Sequence, residues 1–229
     1  MTAAEAPRVL LGLDPAWVSG TILVVAYVVI MTERLNRAVV AGVGACLMVL
    51  LGALTQEQAM AGIDLNTIAL LAGMMLIVGV TKRTGLFQYI AIRCAQITRG
   101  SPAATMALLA VATAAFSAFL DNVTTVLLVV PVTLAVTKQL EVPPFPFLFA
   151  QVFASNLGGT STLIGDPPNI LIGSAVDLTF NDFVLNTGPA VLVTVGVTGV
   201  IGHLIWGRRM SASLEVRERV LALNAPSEV

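Results

Sequence analysis

Two apolar stretches, roughly 102 to 137 and 145 to 176, are each too long for one straight crossing of a bilayer, and each is cut near its middle by polar residues. A straight helix crosses a hydrocarbon core of ~30 Å in about 20 residues. Inside lipid, irregular backbone survives only where protein or a water-filled cavity satisfies its N–H and C=O groups. The fold must therefore shield both interruptions, and each is a candidate for function.

Composition makes lipid the solvent. Of the 229 residues, 57% are hydrophobic and 11% charged, and the mean hydropathy is +0.92, outside the range of soluble globular domains. The formal net charge of -1 points neither to nucleic acid nor to an acidic partner, and the placement of the charges carries more information than their sum. Further apolar runs at roughly 16 to 32, 38 to 54, 65 to 81 and 188 to 206 have the length of single spans. The first follows only Arg8 and leads into Thr32-Glu33-Arg34 in place of a small-x-small cleavage site, so it reads as a retained span and not as a signal peptide.

Lys and Arg set the orientation. Arg34 and Arg37, then Lys82, Arg83, Arg93 and Arg99, then Arg208 and Arg209 mark cytoplasmic connections, whereas 55 to 64 and 177 to 187 carry acids and no base and face outward. The pattern is self-consistent only if 102 to 137 leaves the cytoplasm and returns to it as a re-entrant hairpin, with 145 to 176 crossing once. The predicted fold class is an all-α polytopic membrane protein with five transmembrane crossings, a re-entrant helical hairpin and one discontinuous helix. The amino end (1–15) lies outside, 16–207 is transmembrane, and 208–229 is a cytoplasmic tail or a linker to a second repeat. An odd number of crossings would place a fused second copy upside down, the geometry of an inverted-repeat transporter.

In the hairpin, Asp121-Asn122-Val123-Thr124-Thr125 separates two apolar arms. An Asp or Asn there suits an N-cap, the threonine hydroxyls turn toward the same point, and the last-turn carbonyls of the first arm, Ala118 to Leu120, lack helical partners. Together these offer oxygens to a cation. The plainer reading is that Asp121 caps a helix at a tip reaching the far aqueous surface. In the second stretch, Phe145 to Leu157 reads as a helix that stops at Gly158-Gly159-Thr160-Ser161-Thr162, with a half-helix restarting at Asp166-Pro167-Pro168-Asn169, an N-cap followed by Pro at the first helical position. Paired glycines admit close backbone approach, and three hydroxyls add ligands of the kind hard cations prefer. The plainer reading is a glycine-rich external loop, which would leave flanking apolar runs too short to span.

An aspartate at the bilayer midplane costs about 2.5 to 3.5 kcal/mol on insertion scales, and a bound Na+ or H+ on Asp121 and Asp166 would compensate it. Neither break has Lys or Arg beside it. That argues against direct ion pairing with an anion, although half-helix N-termini can still hold one.

The strings DNVTTVLLVVPVT (121 to 133) and SNLGGTSTLIGDPPNILIGSA (155 to 175), followed by LTFNDF (178 to 183), resemble the ion transporter superfamily. The similar branch is the citrate transporter-like one of the melanosomal P protein and its bacterial relatives, grouped with arsenite permeases and NhaD-type Na+/H+ antiporters. The chain corresponds to the amino-terminal repeat. The resemblance implies one half of an elevator-type secondary transporter, a homodimer with no resident cofactor. Such a protein moves an inorganic ion or small anion, in the manner of an arsenite permease or Na+/H+ antiporter, coupled to Na+ or H+ in the cell membrane. It needs a second repeat half, in cis or in trans. On that resemblance the ion and substrate positions are Asp121, Asn122, Thr124, Thr125, Asn156, Gly158, Gly159, Thr160, Ser161, Thr162, Asp166, Pro167 and Asn169, with Na+ at Asn122, Thr125, Thr162 and Asp166. The dicarboxylate branch has a Ser-Asn-Thr tip and a threonine where Asp166 stands, which favours a cation-coupled or antiporter-like reading over a carboxylate substrate.

Two alternatives stand beside this one. The chain could be an inactive half-transporter or assembly subunit. Ser161 and the single histidine, His203, could be cast as an intramembrane hydrolase, but GTST lacks the GxSxG context, and a histidine near Arg208 is commonly interfacial. Cys46 and Cys94 lie in separate segments and signal neither a disulfide framework nor a metal site. Gly196, Gly199 and Gly202 form a small-residue stripe expected to serve internal packing, and Met74, Met75 and Met106 read as ordinary lipid or core contacts.

Overall fold

Several helices in this chain begin where a side chain satisfies an orphan backbone N–H. The computed structural model describes residues 12–222, all of whose regular structure is helical. The chain divides into two compact units, one ending at Leu65 and one beginning at Asn66.

In the first unit, α1 (Pro15–Met31) starts where the Asp14 side chain accepts from Ala16 N at 2.8 Å, with Pro15 at the first helical position. Helix α2 (Arg37–Leu50) starts the same way at Asn36. The two pair through Gly44, where a Cβ would meet Ile22 Cγ2 at 3.6 Å, and α3 (Gln56–Ala61) opens on a Thr55–Gln58 capping box. Trp17, Tyr27 and Met31 are largely exposed, as expected where the surroundings are acyl chains.

The second unit holds α4 (Leu65–Arg83), α5 (Leu86–Ile97), α6 (Pro102–Ser117), α7 (Asn122–Gln139), α8 (Phe145–Thr160), α9 (Pro167–Val176), α10 (Phe180–Asn186), α11 (Gly188–Ile205) and, after a 3-10 turn at Gly207–Arg209, α12 (Leu214–Ala222). Its core lies between α5, α6, α7 and α8. Phe147 and Leu140 are fully buried, and Phe87 stacks obliquely on Phe116 at 5.1 Å. Buried threonines on α6 and α7 turn their hydroxyls back to carbonyls four residues earlier, as Thr113 does to Leu109 and Thr133 to Val129. Helix α10 opens on a Thr179–Asp182 capping box; the Thr179 hydroxyl, then its N–H, hold the Asp182 carboxyl below the usual carboxylate range.

The sequence reading treated 82 to 100 as a connection, but it folds into α5 after a left-handed Gly85 (φ 68). Phe87, Ala91, Cys94 and Ala95 recur at helical spacing and are buried, a period hidden by the surrounding bases. The glycine stripe differs too. A Cβ at Gly202 would stand 3.9 Å from Met106 of α6, whereas one at Gly196 or Gly199 would meet nothing within 4 Å, so only the end of the stripe packs internally. Both cysteines are free, Cys46 exposed and Cys94 buried. Met74 and Met106 join the interior while Met75 is exposed.

By length and composition, three stretches among the described residues suffice to cross a membrane: Gln56–Arg83, Asn122–Gln139 and Gly188–Arg209. Pro15–Met31, Arg37–Leu50 and Pro102–Ser117 are apolar but shorter.

Candidate functional site

The first break lies between α6 and α7. The chain turns through Ala118 to Asp121, with Ala118 N donating to Ala114 O at 3.0 Å and Leu120 N to Phe116 O at 2.8 Å. Asp121 then caps α7, its Oδ1 accepting from Thr124 N at 2.9 Å. The capping role read from the sequence is therefore present in the geometry, and one carboxylate oxygen is committed to it.

The second break lies between α8 and α9. The glycines do not interrupt α8, which runs through both to Thr160; the irregular segment is 161–166. Their function is close approach. A Cβ on Gly158 would run into the backbone of Ala114, and one on Gly165 would stand 2.5 Å from Gly159 O and 2.7 Å from Ser117 O. Distances this short exclude any side chain, so α6, α8 and the break pack backbone against backbone. Asn169, from the first turn of α9, reaches back to close the end of α8: its Nδ2 donates to Thr162 O at 2.9 Å and Gly159 O at 3.3 Å. The Ser161 hydroxyl donates to Gly158 O, that of Thr160 to Asn156 O, and that of Thr187 to Ser161 O.

These bonds fix each break locally; a second set fixes the breaks to each other. The Thr162 hydroxyl donates to Ala118 O in a short hydrogen bond and accepts from Gly165 N at 3.1 Å. The Ser117 hydroxyl donates to Ser155 O at 2.7 Å, and that of Ser155 to Asn122 O at 2.8 Å. The Asn122 Nδ2 donates to Asn156 Oδ1 at 3.0 Å. The Ala118 carbonyl, expected to be free for a cation, is thus taken by Thr162. Ser117 and Ser155, which sequence reasoning passed over as site positions, are both fully buried at the centre of this seam. Ser155 opens the second quoted string, and Ser117 sits one turn before the tip, so the available signal was small polar residues beside the breaks.

Two groups are left unspent. Asp166 occupies the N-cap position of α9 but makes no side-chain cap bond, contrary to the capping read from Asp166-Pro167. Pro168 removes the N2 N–H that a cap would serve, and the N3 N–H of Asn169 donates to the Asp166 carbonyl at 3.0 Å. The Thr125 hydroxyl is fully buried with no hydrogen-bond partner. Of the four residues read as Na+ ligands, Thr125 and Asp166 therefore carry uncommitted oxygens of the kind a hard cation takes. Thr162 and Asn122 are largely consumed by the seam, since the Asn122 Oδ1 also accepts from Val123 N at 2.8 Å. Thr124 is half-buried beside Asp121.

Ser161 and His203 do not form a hydrolytic pair. The Ser161 carbonyl bonds Thr187 at the start of α11, whereas His203 lies in the last turn of that helix, about 24 Å away at the helical rise.

An all-helical, apolar chain with helices long enough to cross a bilayer, and with its two helix breaks bonded together, has the build of a polytopic membrane protein. The chain is a member of the Citrate transporter family, whose profile matches residues 27–223. It is 50% identical over 192 residues to an uncharacterized transporter of Mycobacterium tuberculosis, an alignment covering 82% of this chain and 45% of that protein. It is 40% identical to the P protein of Sus scrofa over 70% of this chain and 20% of that protein. To the magnetosome protein MamN of Magnetospirillum gryphiswaldense it is 36% identical, over 72% of this chain and 38% of that protein. The chain spans less than half the length of these curated relatives.

Proposed function

We propose that this chain is one inverted-repeat half of a secondary active transporter that moves an inorganic ion or small anion, as an arsenite permease or Na+/H+ antiporter does, coupled to Na+ or H+. It works with a second half, in cis or in trans, in a dimer in the cell membrane, through five crossings with the amino end outside. The observation that carries this reading is the unspent Asp166 carboxylate, held in a helix break that is bonded to the hairpin tip. An acid at membrane depth is costly unless a cation or proton offsets it. Asp166, Asp121 and Thr125 supply the oxygens for the coupling ion. Thr124, Asn156, Thr160 and Ser161 border the site, and Gly158, Gly159, Thr162 and Asn169 hold its backbone in place. The absence of Lys or Arg beside either break supports cation coupling over direct pairing with an anion.

Asp166→Asn in the full-length transporter keeps shape and removes charge. In proteoliposomes it is expected to bring ion-driven uptake down to the level of empty vesicles, with membrane insertion unchanged; undiminished uptake refutes the site. The orientation has its own check. Cysteines placed at Gln56 and Asn181 are expected to react with an impermeant thiol reagent added outside, and one at Thr98 is not; outside labelling at Thr98 overturns the re-entrant hairpin.

A further inference from the structure

Helices α6, α8 and α11 border an elongated groove of about 470 Å³, walled by Ala103, Ala107 and Ala110 on α6, Phe149 on α8, and Gly199 and Trp206 on α11. Its lining is almost wholly apolar, the exceptions being Thr198 and His203. Along α11 it follows the helix from Val195 to Trp206, about 16 Å at the helical rise, which is the depth of one leaflet of a core ~30 Å thick. The groove ends in an aromatic cluster, with Trp206 meeting Phe149 at 5.2 Å and Phe145 at 6.2 Å, both edge-on. Tryptophan favours this level, where acyl chains meet headgroups. Immediately beyond stand Arg208 and Arg209 in the 3-10 turn, both exposed and neither ion-paired among the described residues.

We propose that this groove holds one acyl chain of an anionic phospholipid, with the phosphate on the guanidinium groups of Arg208 and Arg209. The length matches a single leaflet, and the basic residues lie at the headgroup end alone. The guanidinium fork suits a phosphate, which it holds through paired hydrogen bonds. The glycines complete the fit, since the missing Cβ atoms of Gly196 and Gly199 leave the space open.

The test uses the full-length protein reconstituted in vesicles of mixed phosphatidylglycerol and phosphatidylcholine, then native mass spectrometry of the lipid it retains. Phosphatidylglycerol is expected to be retained in preference. Arg208→Gln and Arg209→Gln should each lower that retention about fivefold, the effect of one basic residue at a lipid surface. Gly199→Leu, whose side chain enters open space, should abolish retention of both lipids with the melting temperature unchanged. Equal retention of the two lipids, or no response to the arginine substitutions, overturns the proposal. So does disulfide-linked dimer formation through Gly199→Cys, which would mean that a second copy fills the groove.

Discussion

The hairpin tip and the α8–α9 break look alike in sequence, each an acidic residue placed before a new helix, yet they use that residue differently. Asp121 caps α7 through Thr124 N, while Asp166 sits at the same position of α9 and caps nothing. The end of α8 is instead closed from across the break by Asn169. An N-cap position is thus a place in the chain, not a bond, and an acid relieved of capping is free for other chemistry. The first break is capped from its own next turn and the second is closed by a side chain from beyond its gap, while bonds such as Thr162–Ala118 and Ser155–Asn122 hold the two to each other.

Substitutions at three positions put pressure on that contrast. The largest effect is expected for Gly158→Ala, because the new methyl meets the Ala114 backbone, which has no rotamer to yield. Overpacking of this kind costs about 3 kcal/mol, read as a lowered melting temperature of the purified protein; unchanged stability would mean that α6 and α8 are not in backbone contact. Next is Thr162→Val, which leaves the Ala118 carbonyl and Gly165 N–H without their partner. A loss of about 2 kcal/mol is expected from the orphaned groups, and a neutral result would show the two breaks to be independent. The smallest is Asp121→Ala, where the lost cap costs about 1 kcal/mol. Asp121→Asn preserves the cap and should restore that stability while lowering ion-driven uptake less than Asp166→Asn does. Equal loss from the two asparagine variants would show that both acids serve the ion to the same degree.

Much of this was legible without coordinates. The spans near 16 to 32, 65 to 81 and 188 to 206 reappear as α1, α4 and α11, and both interruptions fall in the expected stretches. The boundaries of the second break were misplaced because glycine was read as a breaker, when at Gly158 and Gly159 it is a contact residue inside α8. Helix α5 was passed over because it is a short amphipathic helix whose Arg93 and the flanking Lys82, Arg83 and Arg99 lower the average of a hydropathy window.

What the sequence determined by itself was the solvent, the approximate spans and the presence of two interruptions, since hydropathy and turn chemistry belong to single segments. What only the tertiary structure decided was which polar groups are spent and which remain. Thr162 finds Ala118 at a separation of 44 residues, and Ser117 finds Ser155 at 38. A hydrogen bond is satisfied only by the atom that packing brings within about 3 Å, and no local pattern records which atom that will be.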